Sequence, residues 1–169
     1  EDPVAPILNE QDFWSDRVVL AVETAIWCKF NCSFCVYDFR NNKHPVIVDD
    51  EIFITALQTA HDKFGISKFF LADDTINEVD YKLEFLVEAT KKLTFTPDFM
   101  AFVRADVVGA KPYQIDMMRE ANINSMFFGV ESMTAGVTKM IRKGGKPENM
   151  LRSLRTVKQE FPEAFTYGN

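Results

Sequence analysis

Four short apolar runs, at residues 18–22, 67–72, 99–103 and 126–130, recur along the chain with helical patterns between them. After the first run, Asp49 or Asp50 can cap a helix that puts Ile52, Phe53, Ala56, Leu57, Ala60 and Phe64 on one face, and Gly65 stands where such a helix stops. A second helix over about 80–93 turns Leu83, Leu86, Val87 and Leu93 inward. Pro112 suits the first turn of a third, reaching about Ala121, and two more are expected over 136–142 and 147–161. Residues 164–167 read as the start of a fifth strand. Strands separated by helices are joined by right-handed parallel crossovers, and continuous apolar runs are the pattern of strands covered on both faces. The chain is therefore expected to be an α/β protein: a parallel sheet with outer helices, open or curled into a partial (β/α) barrel.

With 169 residues, 47% of them hydrophobic, and no repeat or linker, one domain is expected over residues 1–169, with residues 1–16 as an irregular lead-in. The balance of 19 Lys and Arg against 25 Asp and Glu leaves a formal charge of −6, which speaks against the basic surface that nucleic-acid binding requires. No apolar run is long enough for a membrane span, and no signal-peptide pattern opens the chain, so a cytoplasmic protein without a membrane partner is expected.

In such folds ligands bind at the carboxyl ends of the strands. The residues just past the four runs are a cysteine loop, then Asp73-Asp74-Thr75, then Arg104 with Asp106, then Glu131-Ser132. Each group can carry charge, ligate metal or hydrogen-bond. The loop holds every cysteine of the chain, Cys28, Cys32 and Cys35, in the spacing C-x3-C-x2-C. An odd, tightly clustered set makes no disulfide framework and suits a reducing compartment. Thiolates are soft ligands for zinc or iron–sulfur clusters. Both normally take four protein ligands, so three cysteines alone leave one coordination position open, as catalytic metal sites do. Three readings compete with that one: a zinc site completed by His44 or His61, a redox pair of Cys32 and Cys35, and plain structural cysteines.

The C-x3-C-x2-C loop directly after a first strand, with Phe34 before the last cysteine, resembles the radical S-adenosylmethionine superfamily. "ADDT" after the second strand, "VRAD" after the third and "GVES" after the fourth are similar to segments of its cobalamin-associated and methylthiotransferase-like branches, and residues 133–145 continue the last match. The similarity runs over residues 18–145.

That resemblance implies that Cys28, Cys32 and Cys35 each ligate one iron of a 4Fe-4S cluster, whose fourth iron chelates S-adenosylmethionine. Reductive cleavage then gives a 5′-deoxyadenosyl radical that abstracts hydrogen from substrate. It implies Phe34 as an apolar wall near adenine, Asp73 or Asp74 on the cofactor's amino group, and Glu131 with Ser132 on the ribose. Arg104 would pair with the methionyl carboxylate, with a plain salt bridge to Asp106 or Glu131 as the rival. Helix capping is the rival role for the two aspartates. Arg142 and Lys143 read as solvated charge, Gly144-Gly145 as a turn, and His44 and His61 as surface or linker residues. The strand phenylalanines, Phe69, Phe70, Phe99, Phe102, Phe127 and Phe128, read as core. The resemblance further implies an electron donor such as flavodoxin or ferredoxin, a substrate these motifs do not specify, and cobalamin only through a domain outside these residues. It also implies six β/α units, against four and a strand start here, so a truncated radical SAM enzyme core is expected, with a catalytically incompetent fragment as one alternative. A zinc-stabilised binding module is the alternative from another class.

Overall fold

The computed structural model describes residues 9, 11, 18–36, 44–162 and 166–168. Apart from Asn9 and Gln11, the expected lead-in over 1–16 lies outside the described residues. The elements in chain order are β1 (Leu20–Val22), β2 (Ala25–Ile26), β3 (Val46–Ile47), α1 (Asp50–Phe64), β4 (Lys68–Leu71), α2 (Asp80–Lys92), β5 (Asp98–Val103), α3 (Ala105–Ala110), α4 (Gln114–Glu120), β6 (Ile123–Phe128), α5 (Ala135–Met140), α6 (Pro147–Glu160) and β7 (Thr166–Gly168).

Five strands form one parallel sheet in the order β1-β4-β5-β6-β7. Each strand lies beside its predecessor in that list, which is the order of a barrel wall, and every return passes through at least one helix. The local signals for α1 hold. The Asp49 carboxylate accepts from the Glu51 and Ile52 amides at 3.0 and 3.1 Å. Gly65 ends the helix at φ 67°, the left-handed conformation that glycine adopts without a Cβ penalty. Phe53, Leu57 and Ala60 are buried, while Ile52 remains exposed.

Two elements were not legible in the sequence. β2 and β3 form a small antiparallel ribbon, pairing Ala25 with Ile47 and Ile26 with Val46, that leads directly into the cysteine loop. α3 precedes the expected Pro112 helix, and its Val107-Val108 pair gives no helical period over six residues.

The reading of strands covered on both faces needs correction. Phe69, Leu71, Phe99, Ala101, Val103, Met126 and Phe128 are buried, whereas the alternate positions are not. Phe102 is 43% exposed and Phe70 and Phe127 are half-buried. These three pack on one another with ring centroids 5.4, 5.5 and 6.5 Å apart. Helices cover one side of the sheet, and this aromatic trio occupies the other. Half of the strand phenylalanines are therefore not core.

Candidate functional site

The carboxyl ends of the strands do converge. A cavity of about 390 Å³ opens there, lined by Cys28, Cys32 and Cys35 together with Asp74, Arg104, Glu131 and Lys143, and walled by Phe30, Phe34, Phe102 and Phe127. That volume falls in the range of about 300–1,000 Å³ typical of small-molecule sites, and an apolar wall with a few convergent polar groups is their usual chemistry. The cavity lies on the aromatic side of the sheet, since Phe102 and Phe127 line it.

The chain enters the cysteine loop from β2 through Trp27, whose φ of 79° is an uncommon left-handed conformation for so bulky a residue. What holds this entry is a wholly buried charged cluster. Asp73 Oδ2 accepts from the Thr24 amide at 3.0 Å, and Oδ1 accepts from the Thr24 hydroxyl at 2.6 Å and the Ala25 amide at 2.9 Å. Lys82 Nζ lies 2.8 Å from Asp73 Oδ1 and donates to Glu78 Oε1 at 3.1 Å and the Thr75 carbonyl at 2.7 Å. Every proton of the ammonium is thus used. Burial works against the Lys82 charge, but Asp73 and Glu78 outweigh it and hold its pKa above the ordinary lysine range. Burial pushes the Glu78 carboxyl up to about 7, against the pull of Lys82 and with Asp73 adding to it. Glu78 Oε2 is buried without a hydrogen-bond partner.

Asp73 is therefore held by the protein's own backbone and by Lys82; both aspartates line the cavity, Asp73 buried and Asp74 half-buried. Asp73 does not cap α2, which begins at Asp80.

Arg104 is likewise engaged within the protein. Its Nε and Nη2 donate to the two Asp106 carboxylate oxygens at 3.0 and 2.8 Å, Nη1 donates to the Cys32 sulfur at 3.3 Å, and Nη2 also reaches the Lys143 carbonyl. The guanidinium stacks on Phe30, 3.7 Å from the ring centroid. Burial opposes its charge, yet the bonds to Asp106 and Cys32 keep its pKa above the ordinary value. The Asp106 salt bridge expected as a rival role is present; a free guanidinium fork is not.

Lys143 corrects another expectation. It is buried, not solvated, with Nζ 3.5 Å from Glu131 and 5.7 Å from the Phe34 ring centroid. Its neighbour Arg142 is exposed, as expected. Gly144 and Gly145 both take positive φ, 83° and 76°, and the chain bends at Gly145, while the turn itself lies at residues 141–142. Glu131 reaches the cavity with φ 61°. Ser132 is not among its lining residues, and its hydroxyl accepts from the Thr134 amide at 3.0 Å. Phe34 lines the cavity and is 51% exposed. His44 is exposed, and His61 is half-buried on α1, stacked on Phe95 at 4.0 Å.

Sequence reasoning missed Glu78, Lys82, Asn77 and Gln114, all fully buried. Asn77 accepts from the Arg104 amide at 2.8 Å and donates to the Arg104 carbonyl at 3.1 Å, tying the end of β5 to the loop after β4. Lys82 had a usable signal: it lies four residues before Leu86 and seven before Ala89, on the buried stripe of α2.

A three-thiol donor set fits a soft metal cluster, and all three sulfurs belong to residues around one cavity. Cys32 is buried, and Cys28 and Cys35 are half-buried. Burial pushes the Cys28 thiol up to about 11, with Glu78 and Asp74 adding to it against a backbone bond from Phe30 and the Arg104 charge. Coordination reverses that, because a metal-bound thiol is deprotonated outright. Among the described residues no three His, Cys, Asp or Glu side chains are grouped closely enough to hold a metal ion. No helix among the described residues is long and apolar enough to cross a membrane.

Comparison with known proteins gives a consistent picture. The model of the radical SAM superfamily matches residues 22–168. An uncharacterized methyltransferase of Pyrococcus horikoshii, PH0819, is 25% identical over 158 residues, 93% of this chain and 34% of that protein. Among solved structures, the cobalamin-dependent S-adenosylmethionine radical enzyme OxsB superposes with a TM-score of 0.70 at 20% identity, over 89% of this chain and 23% of OxsB. The radical S-adenosylmethionine methyltransferase TsrM of Kitasatospora setae gives 0.66 at 14% identity, covering 89% and 29%. Methylornithine synthase gives 0.59 at 18% identity, covering 94% and 46%. The chain thus spans about a third of its curated relative and a quarter of OxsB.

Proposed function

Because the chain belongs to the radical SAM superfamily, we propose that it is the core of an enzyme in which Cys28, Cys32 and Cys35 hold a 4Fe-4S cluster and the adjoining cavity takes S-adenosylmethionine. The observation that carries this reading is the meeting of all three cysteines with Asp74, Glu131 and Lys143 around one cavity of ligand size at the carboxyl ends of the strands. When bound, the cluster supplies the electron for reductive cleavage of S-adenosylmethionine, and an external donor of the flavodoxin or ferredoxin type replenishes it.

The chain's own residues have separable tasks. Asp73, locked by Lys82 and the Thr24 and Ala25 amides, fixes where the loop begins. Phe30, Phe34, Phe102 and Phe127 exclude water from one wall, which strengthens every charge interaction inside. Asp74 and Glu131 accept hydrogen bonds from the amino group and ribose of the cofactor. Lys143, paired with Glu131 at 3.5 Å, is the cation at the cavity wall with capacity for a ligand carboxylate. Ser132 contributes by shaping the turn into α5. Cobalamin enters only through a further domain, a reading favoured by the likeness to cobalamin-dependent relatives.

Anaerobic reconstitution of this chain with iron and sulfide tests the reading. Visible charge-transfer absorbance that disappears in Cys28→Ala, Cys32→Ala and Cys35→Ala, with 5′-deoxyadenosine released under dithionite, is expected. One tightly held zinc per chain with no iron uptake would sink it in favour of a zinc-stabilised module.

A further inference from the structure

Residues 141–145 meet the cysteine loop directly at Ser33 and Phe34, and through Arg104 at Cys32. The Ser33 amide donates to the Ile141 carbonyl at 2.9 Å, and the Lys143 carbonyl accepts from Arg104. Gly145 lies so close to Asp106 that any β-carbon there would collide with the Asp106 side chain. Asp106 in turn holds Arg104 by a two-pronged bond, and Arg104 donates to the Cys32 sulfur. Backbone, carboxylate, guanidinium and thiol form one continuous chain of contacts.

We propose that Arg104 is a positioning residue that raises the reduction potential of the cysteine-held cluster through its N–H···S bond to Cys32, with Asp106 and residues 143–145 fixing its orientation. This rests on the cluster reading above. A guanidinium has five N–H donors, and four are spent here: one on each Asp106 oxygen, one on Lys143 and one on sulfur. No parallel pair remains for the bidentate grip that makes arginine a carboxylate receptor. A positive donor aimed at a ligand sulfur has a different use. Reduction adds negative charge that spreads onto the sulfurs, so a hydrogen bond there stabilises the reduced form more than the oxidised one. Stacking on Phe30 and burial keep water from screening the interaction.

The decisive measurement is a redox titration of the reconstituted chain followed by electron paramagnetic resonance, on the parent, Arg104→Lys and Asp106→Asn. Lysine keeps the charge but lacks the planar fork that grips both Asp106 oxygens while reaching Cys32. At a fixed applied potential the reduced-to-oxidised ratio is expected to fall about tenfold in Arg104→Lys, which is about 59 mV for a one-electron couple. A smaller fall in the same direction is expected in Asp106→Asn, which decides the matter should the arginine variant not load iron. Unchanged potentials in both variants with parental iron content overturn the proposal. If S-adenosylmethionine affinity then falls instead, Arg104 is returned to the role of carboxylate receptor. Failure of the parent itself to take up iron overturns the cluster reading, and this inference with it.

Discussion

Buried charge holds the cysteine loop at two places, and the two anchors are built on different plans. At the entry, Lys82 serves two carboxylates, Asp73 and Glu78, with no side chain of the three exposed. Its donors are saturated, and the surplus acid leaves Glu78 Oε2 with no hydrogen-bond partner. At Cys32, one arginine faces one carboxylate, and the remaining donors reach a carbonyl and a sulfur at the edge of the cavity. The first anchor is closed on itself and contributes rigidity. The second extends to a cysteine sulfur at the cavity. A buried pair is costly to break in either place, because the surviving partner keeps its desolvation penalty without its compensation.

The largest effect is expected at the closed anchor. Lys82→Met should lower stability by about 3–5 kcal/mol in urea denaturation, since two buried carboxylates lose their cation. Iron uptake should fall with it, and a variant of parental stability would show that the cluster is not an anchor. The acid surplus predicts a pH dependence next. In the folded chain Glu78 keeps its proton to about pH 7, whereas in the unfolded chain it is lost near the ordinary 4.5. Between those values folding binds a proton, so stability falls as pH rises and levels off above about 7. The fall is on the order of 3 kcal/mol, and Glu78→Gln should flatten it when midpoints are compared at pH 5 and pH 8.

Smaller changes test the open anchor against the closed one. Asp106→Asn should cost about 2 kcal/mol by denaturation, less than Lys82→Met, because Arg104 keeps its sulfur, carbonyl and ring contacts. Thr24→Val removes one hydroxyl bond to a carboxylate that retains three other partners, and about 1 kcal/mol is expected. An effect at Thr24 as large as that at Lys82 would mean that the hydroxyl, not the ion cluster, holds the loop entry.

The helices were readable in sequence where caps and periodicity coincide, as in α1 with Asp49 and Gly65, and in α2 with its Leu83-Leu86-Val87 stripe. The cysteine loop was readable because its chemistry lies within eight consecutive residues. Partner assignment was not. Arg104 has Asp106 two positions away, but Cys32 lies 72 residues back and Lys143 lies 39 ahead. Which aspartate of Asp73-Asp74 turns inward depends on Lys82, presented from the next helix.

The sequence by itself determined the parallel α/β order, the three-cysteine loop and the polar residues at the strand ends, because local period and residue spacing are written in neighbouring positions. Only the tertiary structure decided which face of the sheet stays open, leaving Phe70, Phe102 and Phe127 uncovered by the helices. It also decided that Asp73 and Arg104, although at the cavity, are held by partners within the protein. The physical reason is the same in each case. A charged side chain at a strand end is used by the partners that reach it in space, and some of these, Thr24 for Asp73 and Cys32 and Lys143 for Arg104, come from distant parts of the chain.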